Sequence, residues 1–315
     1  MNSLPFIFSP LSNTLVINQG VVQKRPRGLV LKHKSNAFHL SFSATELTKP
    51  MNVVIFNQNT DLLLDIHWKA FSNQSVNLFW FIPDGVFDNS LSLQADASSK
   101  GRMNVIINDQ SAELKTLLNI TLEEASSVDF ALTLIGGSNS FVQHNVYLNG
   151  VFASYKGLGL SVNHQAQMLE VKEAVHHQQP NTTSMLTNFL IANDLGYIRY
   201  EVIGKINKGN HGSNCKQQNR GVILSDGGSV QVDPLLLIDE YDVEAGHGAA
   251  IGDINPDELY YLQSRGLNEA QAKRLIINGY IKPMLDRFEY VPFAQYLEKQ
   301  IDQIIKGDDL LGESL

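Results

Sequence analysis

The chain has 315 residues, 43% hydrophobic and 18% charged, so it can bury a large core and is not disordered as a whole. A formal net charge of -8 argues against tight binding to nucleic acid or an anionic membrane, since both need clustered Lys and Arg, and the basic run Lys24-Arg25-Pro26-Arg27 is too short to be more than a solvated turn. The single cysteine, Cys215, excludes an internal disulfide and cannot alone supply the several thiolates of an iron–sulfur or structural zinc centre.

The opening stretch MNSLPFIFSPLSNTLV lacks the basic start and long apolar core of a signal peptide, and no stretch reaches membrane-spanning length. A cytoplasmic protein is expected. Residues 1–50 read as an N-terminal segment, a reduced helical or extended region. Residues 51–252 carry many short β-like runs: Asn52–Asn57, Asp61–Trp68, Val76–Phe81, Leu114–Leu122, Val128–Ile135, Asn145–Ala153, Met168–Val171, Met185–Ala192 and Tyr197–Ile203. Polar or glycine turns such as Gly136-Gly137-Ser138-Asn139 separate them. No helix-length periodic segment interrupts the runs, which rules against a βαβ sheet. Sandwich, barrel and parallel β-helix all fit. Hairpin dipeptides are few, Asn149-Gly150 and Asp226-Gly227 being the best, and this scarcity favours the solenoid although no strict repeat is visible.

Residues 253–315 change character. Asn255-Pro256-Asp257-Glu258 writes a helix start, with an Asn cap, a proline whose missing N–H costs nothing, and a Glu placed to reach back. Leu259 and Leu262 form its apolar face and Gly266 its left-handed stop. Asn268 with Gln271 starts a second helix, with Ala272, Leu275, Ile276 and Tyr280 on one stripe and Pro283 kinking or ending it. Pro292 opens a third, in which Phe293, Tyr296, Leu297, Ile301, Ile304 and Ile305 recur at helical spacing until Gly307 and an acidic tail. A small helical appendage on a β body is predicted.

Gly246-His247-Gly248, with Gly252, superficially suggests a phosphate cradle. A phosphate-binding turn must open directly into its helix, however, and here Asp253-Ile254-Asn255 intervenes. The two glycines read instead as freeing the backbone to turn sharply and present the imidazole, which could bind a metal or a partner. Glu240, Asp242 and Glu244 share a face if their strand is regular, and read as a solvated edge. His176-His177 belong to a polar rim, and Cys215 to the polar loop Gly209–Gln218. Tyr260-Tyr261 read as core or interface anchors. No Ser/His/Asp set or carboxylate pair argues for an enzyme.

The string VDPLLLIDEYDVEAGHGAAIGDINPDELYYLQSRGLNEAQAKRLIINGYIKPML resembles the SufB/SufD family of iron–sulfur assembly scaffolds, and His177 with Gln179–Ser184 and Lys205-Ile206 resemble its middle region. His-Gly-Ala at 247–249 is similar to SufD proteins in particular. The resemblance implies a mainly β fold, a right-handed parallel β-helix core followed by a C-terminal α-helical domain. It implies a non-catalytic scaffold subunit that works with an ABC-type ATPase, SufC, docked on the C-terminal helices around Leu259, Tyr260, Leu262, Arg265, Gly266, Ile276 and Tyr280. A SufB-like scaffold, or a second copy in a homodimer, would meet the end of the β-helix. His247, flanked by Gly246 and Gly248, is then the interface residue implicated in cluster assembly and the one metal-ligand candidate, with Cys215 and Glu244 as weaker iron or sulfur contacts. Where some members carry cysteine this chain has Ala245, so no cofactor is expected to bind stably to it alone; iron or a transient cluster would be met in the complex. A homodimeric scaffold needing no second subunit, and a β-helical carbohydrate-active protein, are the alternatives.

Overall fold

A computed structural model describes residues 13–26, 29–34, 37–42, 50–56, 59–288 and 291–306. Gly307 and the acidic tail lie outside these residues.

Among the described residues, two sheets of ten and nine strands make up the body. From Met51–Phe56 onward consecutive strands alternate between the sheets, and within each sheet neighbours run parallel, so the chain coils as a two-sided parallel β-solenoid. Registers run without slips: Leu78 lies opposite Val105, and Val105 opposite Leu132. Identical faces therefore stack rung on rung, and the inward column becomes one continuous apolar core containing Leu78, Trp80, Val105, Leu132 and Val146.

The β body starts ahead of residue 51. Thr14–Asn18 pairs in parallel with Met51–Phe56, and antiparallel partners (Val21–Lys24 on Thr14–Asn18, Val30–Lys34 on Ala37–Phe42) close the N-terminal end of both sheets. Asn149-Gly150 and Asp226-Gly227 are solenoid corners between strands of different sheets, not hairpins, so these dipeptides serve a turn that no antiparallel pair uses.

A repeat does exist, written in backbone conformation. Phe71, Ser98, Ala125, Phe152 and Asn181 hold left-handed φ values of 60, 58, 53, 63 and 57°, and Gly212 follows at 68°. Each occupies the equivalent corner of successive rungs. The amide of Phe71 donates to Ala97 O (3.2 Å), Ser98 to Glu124 O (2.8 Å), Ala125 to Val151 O (2.9 Å), Asn181 to His211 O (2.9 Å) and Gly212 to Asp242 O (2.7 Å). Left-handed backbone costs a non-glycine residue about 1–2 kcal/mol, and these rung-to-rung bonds offset it. The next residue is small and buried at every corner: Ser72, Ser99, Ser126, Ala153, Thr182 and Ser213.

Among the described residues three helices follow: α1 (Pro256–Ser264), α2 (Glu269–Leu285) and α3 (Val291–Lys306). The Asn255 side chain caps α1 at Asp257 N (2.9 Å), and Gly266, at φ 97°, lies just beyond its end. Asn268 and Gln271 form a reciprocal capping box on α2 (2.8 and 2.9 Å). Helices α2 and α3 do not project as an appendage. They lie on the outer face of the ten-stranded sheet, where Ile277, Ile281, Met284, Phe293, Leu297 and Ile301 pack on Phe79, Ile106, Ala131, Leu160 and Ile191. Contacts of Tyr280 with Phe189, and of Phe288 and Phe293 with Phe79, show α2 running back toward the early rungs. Helix α3 then returns to the late ones, ending at Asn193, which donates to Ile304 O (2.9 Å).

The α3 stripe matches the sequence pattern, whereas the α2 stripe is rotated: Ala272, Ile277, Ile281 and Met284 are buried, Leu275 is exposed, and Ile276 and Tyr280 are half-buried. Pro283 sits inside α2, two residues before its end. Arg287 clamps the α2–α3 turn to the sheet, donating from Nη1 to Asp129 Oδ1 (2.9 Å) and from Nε to Asn104 Oδ1 (2.6 Å).

Candidate functional site at the open end of the solenoid

The last rung has no successor. Strand Val243–Asp253 pairs on one side with Ser213–Ile223 and forms the free edge of the ten-stranded sheet; Ser229–Ile238 is the corresponding edge of the nine-stranded sheet. Strand Val243–Asp253 is exposed along almost its whole length. Val232, Pro234, Leu236 and Ile238, which face inward from the other sheet, are only half-covered. The apolar core is thus open at this end, beside a row of unpaired backbone groups.

His247 sits in the middle of that edge. It lies opposite Gln217, a buried inward residue, so its side of the strand is the solenoid mouth rather than the outer wall. The expected sharp turn at Gly246-His247-Gly248 is not there. All three belong to a regular strand, and Gly246, Gly248 and Gly252 have no left-handed φ and no heavy atom within 4 Å of where a Cβ would stand. These glycines relieve no strain inside the chain. They leave a bare outer surface on the edge, as a strand does where another backbone comes close.

The other candidates do not converge on His247. Cys215 lies within strand Ser213–Ile223, not in a loop, opposite Ala245 and one strand in from the edge. It is 1% exposed, and burial pushes its thiol up from the ordinary value, with Ser184 partly opposing. A Cβ on Gly204 would stand 2.5 Å from its sulfur, so the thiol fills a slot only glycine leaves open. Glu244 points to the opposite face, where it accepts from Asn214 Nδ2 (2.7 Å) and lies 3.6 Å from Lys216. Glu240 and Asp242 precede the strand, and backbone amides of Gly209, Tyr241 and Asp242 hold the Glu240 carboxyl below its ordinary range. Among the described residues no group of three His, Cys, Asp or Glu side chains could hold a metal ion.

His177 departs furthest from its reading as a polar rim. It is fully buried at the end of strand Met168–His177, with Nδ1 2.8 Å from Thr182 Oγ1 and Nε2 2.8 Å from Ser184 Oγ. Burial, then the neighbouring His176, lowers its pKa to about 4, against a weaker opposing contribution from Thr182. His176 faces out and stacks on Tyr147, ring centroids 4.9 Å apart. A run of polar letters concealed an inward strand end, and only the alternation of the preceding residues signals it.

On α1 no residue is buried: Tyr260 and Tyr261 are exposed, Leu259 and Leu262 half-exposed, and Arg265 lies 5.2 Å over the Tyr261 ring. Ile276 is half-buried, and Tyr280 lies against the body between Phe189 and the Arg220 guanidinium (4.8 Å). The outer face of the nine-stranded sheet carries paired charges, Lys172–Glu201 at 2.7 Å and Arg199 between Glu170 and Asp233. No described helix is long and apolar enough to cross a membrane.

Comparison with known proteins places this architecture. Residues 91–280 match the model for the SufBD core domain of the SUF system for FeS cluster assembly. The iron–sulfur cluster assembly protein SufD of Bacillus subtilis is 28% identical over 183 residues, which is 58% of this chain and 41% of that protein. The chloroplastic protein ABCI7 of Arabidopsis thaliana is 25% identical over 170 residues, 53% of this chain and 35% of that one. SufD of Plasmodium falciparum is 28% identical over 198 residues, 53% of this chain and 13% of that one. The chain thus spans less than half the length of each of these relatives. A family match over more than half of its residues, carried on a parallel solenoid with C-terminal helices, shows that the chain belongs to the SufBD family of iron–sulfur cluster assembly proteins.

Proposed function

We propose that this chain is a SufD-like, non-catalytic scaffold subunit whose open solenoid end receives a second scaffold, a SufB-like protein or another copy of itself, with the iron–sulfur cluster as cargo at that junction. The observation that carries the proposal is the uncapped edge Val243–Asp253, with exposed His247 between two side-chain-free positions. An unpaired edge over a half-open apolar core has a strong physical reason to bury itself against another protein. His247 would offer an imidazole there, and the partner would supply thiolates that this chain lacks. Cys215, buried and held as a thiol, lends no support to a scaffold that ligates a cluster alone.

The ATPase partner would grip α1, the helix with nothing buried, through Leu259, Tyr260 and Leu262. Because α2 and α3 are packed across the ten-stranded sheet, a pull on α1 would pass into the rungs directly. The test is His247→Ala in a complex reconstituted with SufB- and SufC-type partners. Assembly of the complex should persist while cluster formation falls by about tenfold or more; unchanged cluster formation would remove His247 from the reading. Tyr260→Asp should separately abolish co-purification of the ATPase, and retained co-purification would move its docking site off α1.

A further inference from the structure

The solenoid interior is mostly apolar, and among its few buried polar side chains is the carboxyl group of Glu173. Glu173 is 4% exposed and projects inward from the nine-stranded sheet, directly opposite His144, which is 1% exposed. Its Oε1 lies 3.2 Å from His144 Nδ1, and His144 Nε2 lies 3.4 Å from the Tyr155 hydroxyl. The neighbouring inward residues are Val142, Val146, Val171 and Val175, so hydrophobic side chains at 144 and 173 would continue the packing without the desolvation cost of a charge.

From this pair a line of hydrogen bonds crosses to the other sheet and runs outward. Asn188 Nδ2 donates to Glu173 Oε2 (3.1 Å) and to Asn219 Oδ1 (3.0 Å), and Asn219 Nδ2 donates to the Gly248 carbonyl (3.3 Å). Asn188 and Asn219 occupy the same inward column of successive rungs, and the position above them is Ala249. Room for the line is made at Gly159, where a Cβ would stand 2.2 Å from Asn188 Oδ1. The line ends on the Gly248–Ala249 peptide, one residue beyond His247, in the strand with ladder bonds on one side only.

We infer that Glu173, acting through Asn188 and Asn219, is a remote positioning residue that fixes the backbone beside His247. A strand with one neighbour slides and frays more readily than an interior strand. Asn219 gives it a second attachment from inside the solenoid, and Glu173 orients both amides: a carboxylate can only accept, so Asn188 must turn its NH2 inward and leave Asn219 to present its own NH2 to Gly248. The importance of the placement rests on the function proposed above for His247, but the placement itself can be measured on the isolated chain.

The experiment compares amide hydrogen exchange and the Gly248 carbonyl 13C shift in the full-length protein and in Asn219→Leu and Glu173→Gln variants. Asn219→Leu should speed exchange across Val243–Asp253 by about five- to tenfold relative to Lys100–Asp109 and shift the Gly248 carbonyl. Glu173→Gln, which can present either an acceptor or a donor to Asn188, should produce a smaller change of the same sign at the same strand. Should Asn219→Leu fold poorly, Asn219→Ser carries the same expectation. Uniform acceleration over all rungs, or an unmoved Gly248 carbonyl, would overturn the inference. Neither measurement involves a partner or a cluster, so its outcome stands apart from that of the His247→Ala assay.

Discussion

The two sheets share an interior but differ outside it. On the ten-stranded sheet the outward residues Phe79, Phe81, Ile106, Leu160, Val162 and Ile191 are covered by α2 and α3. On the nine-stranded sheet the outward positions are Asp88, Ser90, Ser92, Lys115, Glu170, Lys172, Arg199 and Glu201, which face solvent or pair with one another. The strand sequences record the difference. Glu113–Leu122 alternates buried and half-exposed residues, while Ser127–Gly136 is buried almost without interruption. A continuous apolar run in a parallel solenoid therefore marks a wall that something must cover, and an alternating run marks a wall that water already covers.

This contrast can be broken by substitution. Phe293→Ala, which empties the contact with Phe79 beneath α3, should lower unfolding free energy by about 3–5 kcal/mol, read from the urea midpoint. The common interior gives the next effect. His177 is neutral in the folded state, with a pKa of about 4, and titrates near 6.5 when unfolded, so the unfolded chain binds the extra proton first. Stability is then fully present above pH 6.5 and is lost as the pH falls toward 4, by about 3 kcal/mol, and His177→Gln should flatten that slope in midpoints measured across the interval. A smaller gain is expected at the corner: Phe152→Asn, at an exposed left-handed position, should stabilise by about 0.5–1 kcal/mol in thermal unfolding. Lys172→Ala on the bare wall should change stability by less than about 0.5 kcal/mol, because its direct ion pair with Glu201 is open to solvent. A loss there comparable with that at Phe293 would mean that the two walls are not distinct.

Much of the body was legible in the letters. The β-like runs, the scarcity of hairpins, the caps at Asn255 and Asn268 and the stripe of α3 all depend on local residue chemistry that tertiary contacts reinforce. The rung period was not, because its carrier is a backbone angle that Phe71, Ser98, Ala125, Phe152 and Asn181 reach with unrelated side chains. Strands Val86–Ala95 and Lys100–Asp109 were hidden by polar letters such as Asp88, Asn89, Ser90 and Arg102. The α2 stripe came out rotated because Ile276 and Ile277 are adjacent and only the sheet beneath decides between them. At the site, glycines around His247 suggested a turn when they mark a bare edge, and the hydrogen bonds that reach Gly248 join residues from both sheets that no spacing links.

Because the left-handed corners at Phe71, Ser98, Ala125, Asn181 and Gly212 donate their amides to the rung that follows, these turns are completed only by the arrival of the next. Such a stack behaves like a one-dimensional crystal that grows by addition at its ends. The terminal layer is always the least secured, and the molecule cannot cure this by folding better. Its final described layer, Val243–Asp253, keeps one edge unpaired and is therefore an end from which the stack opens.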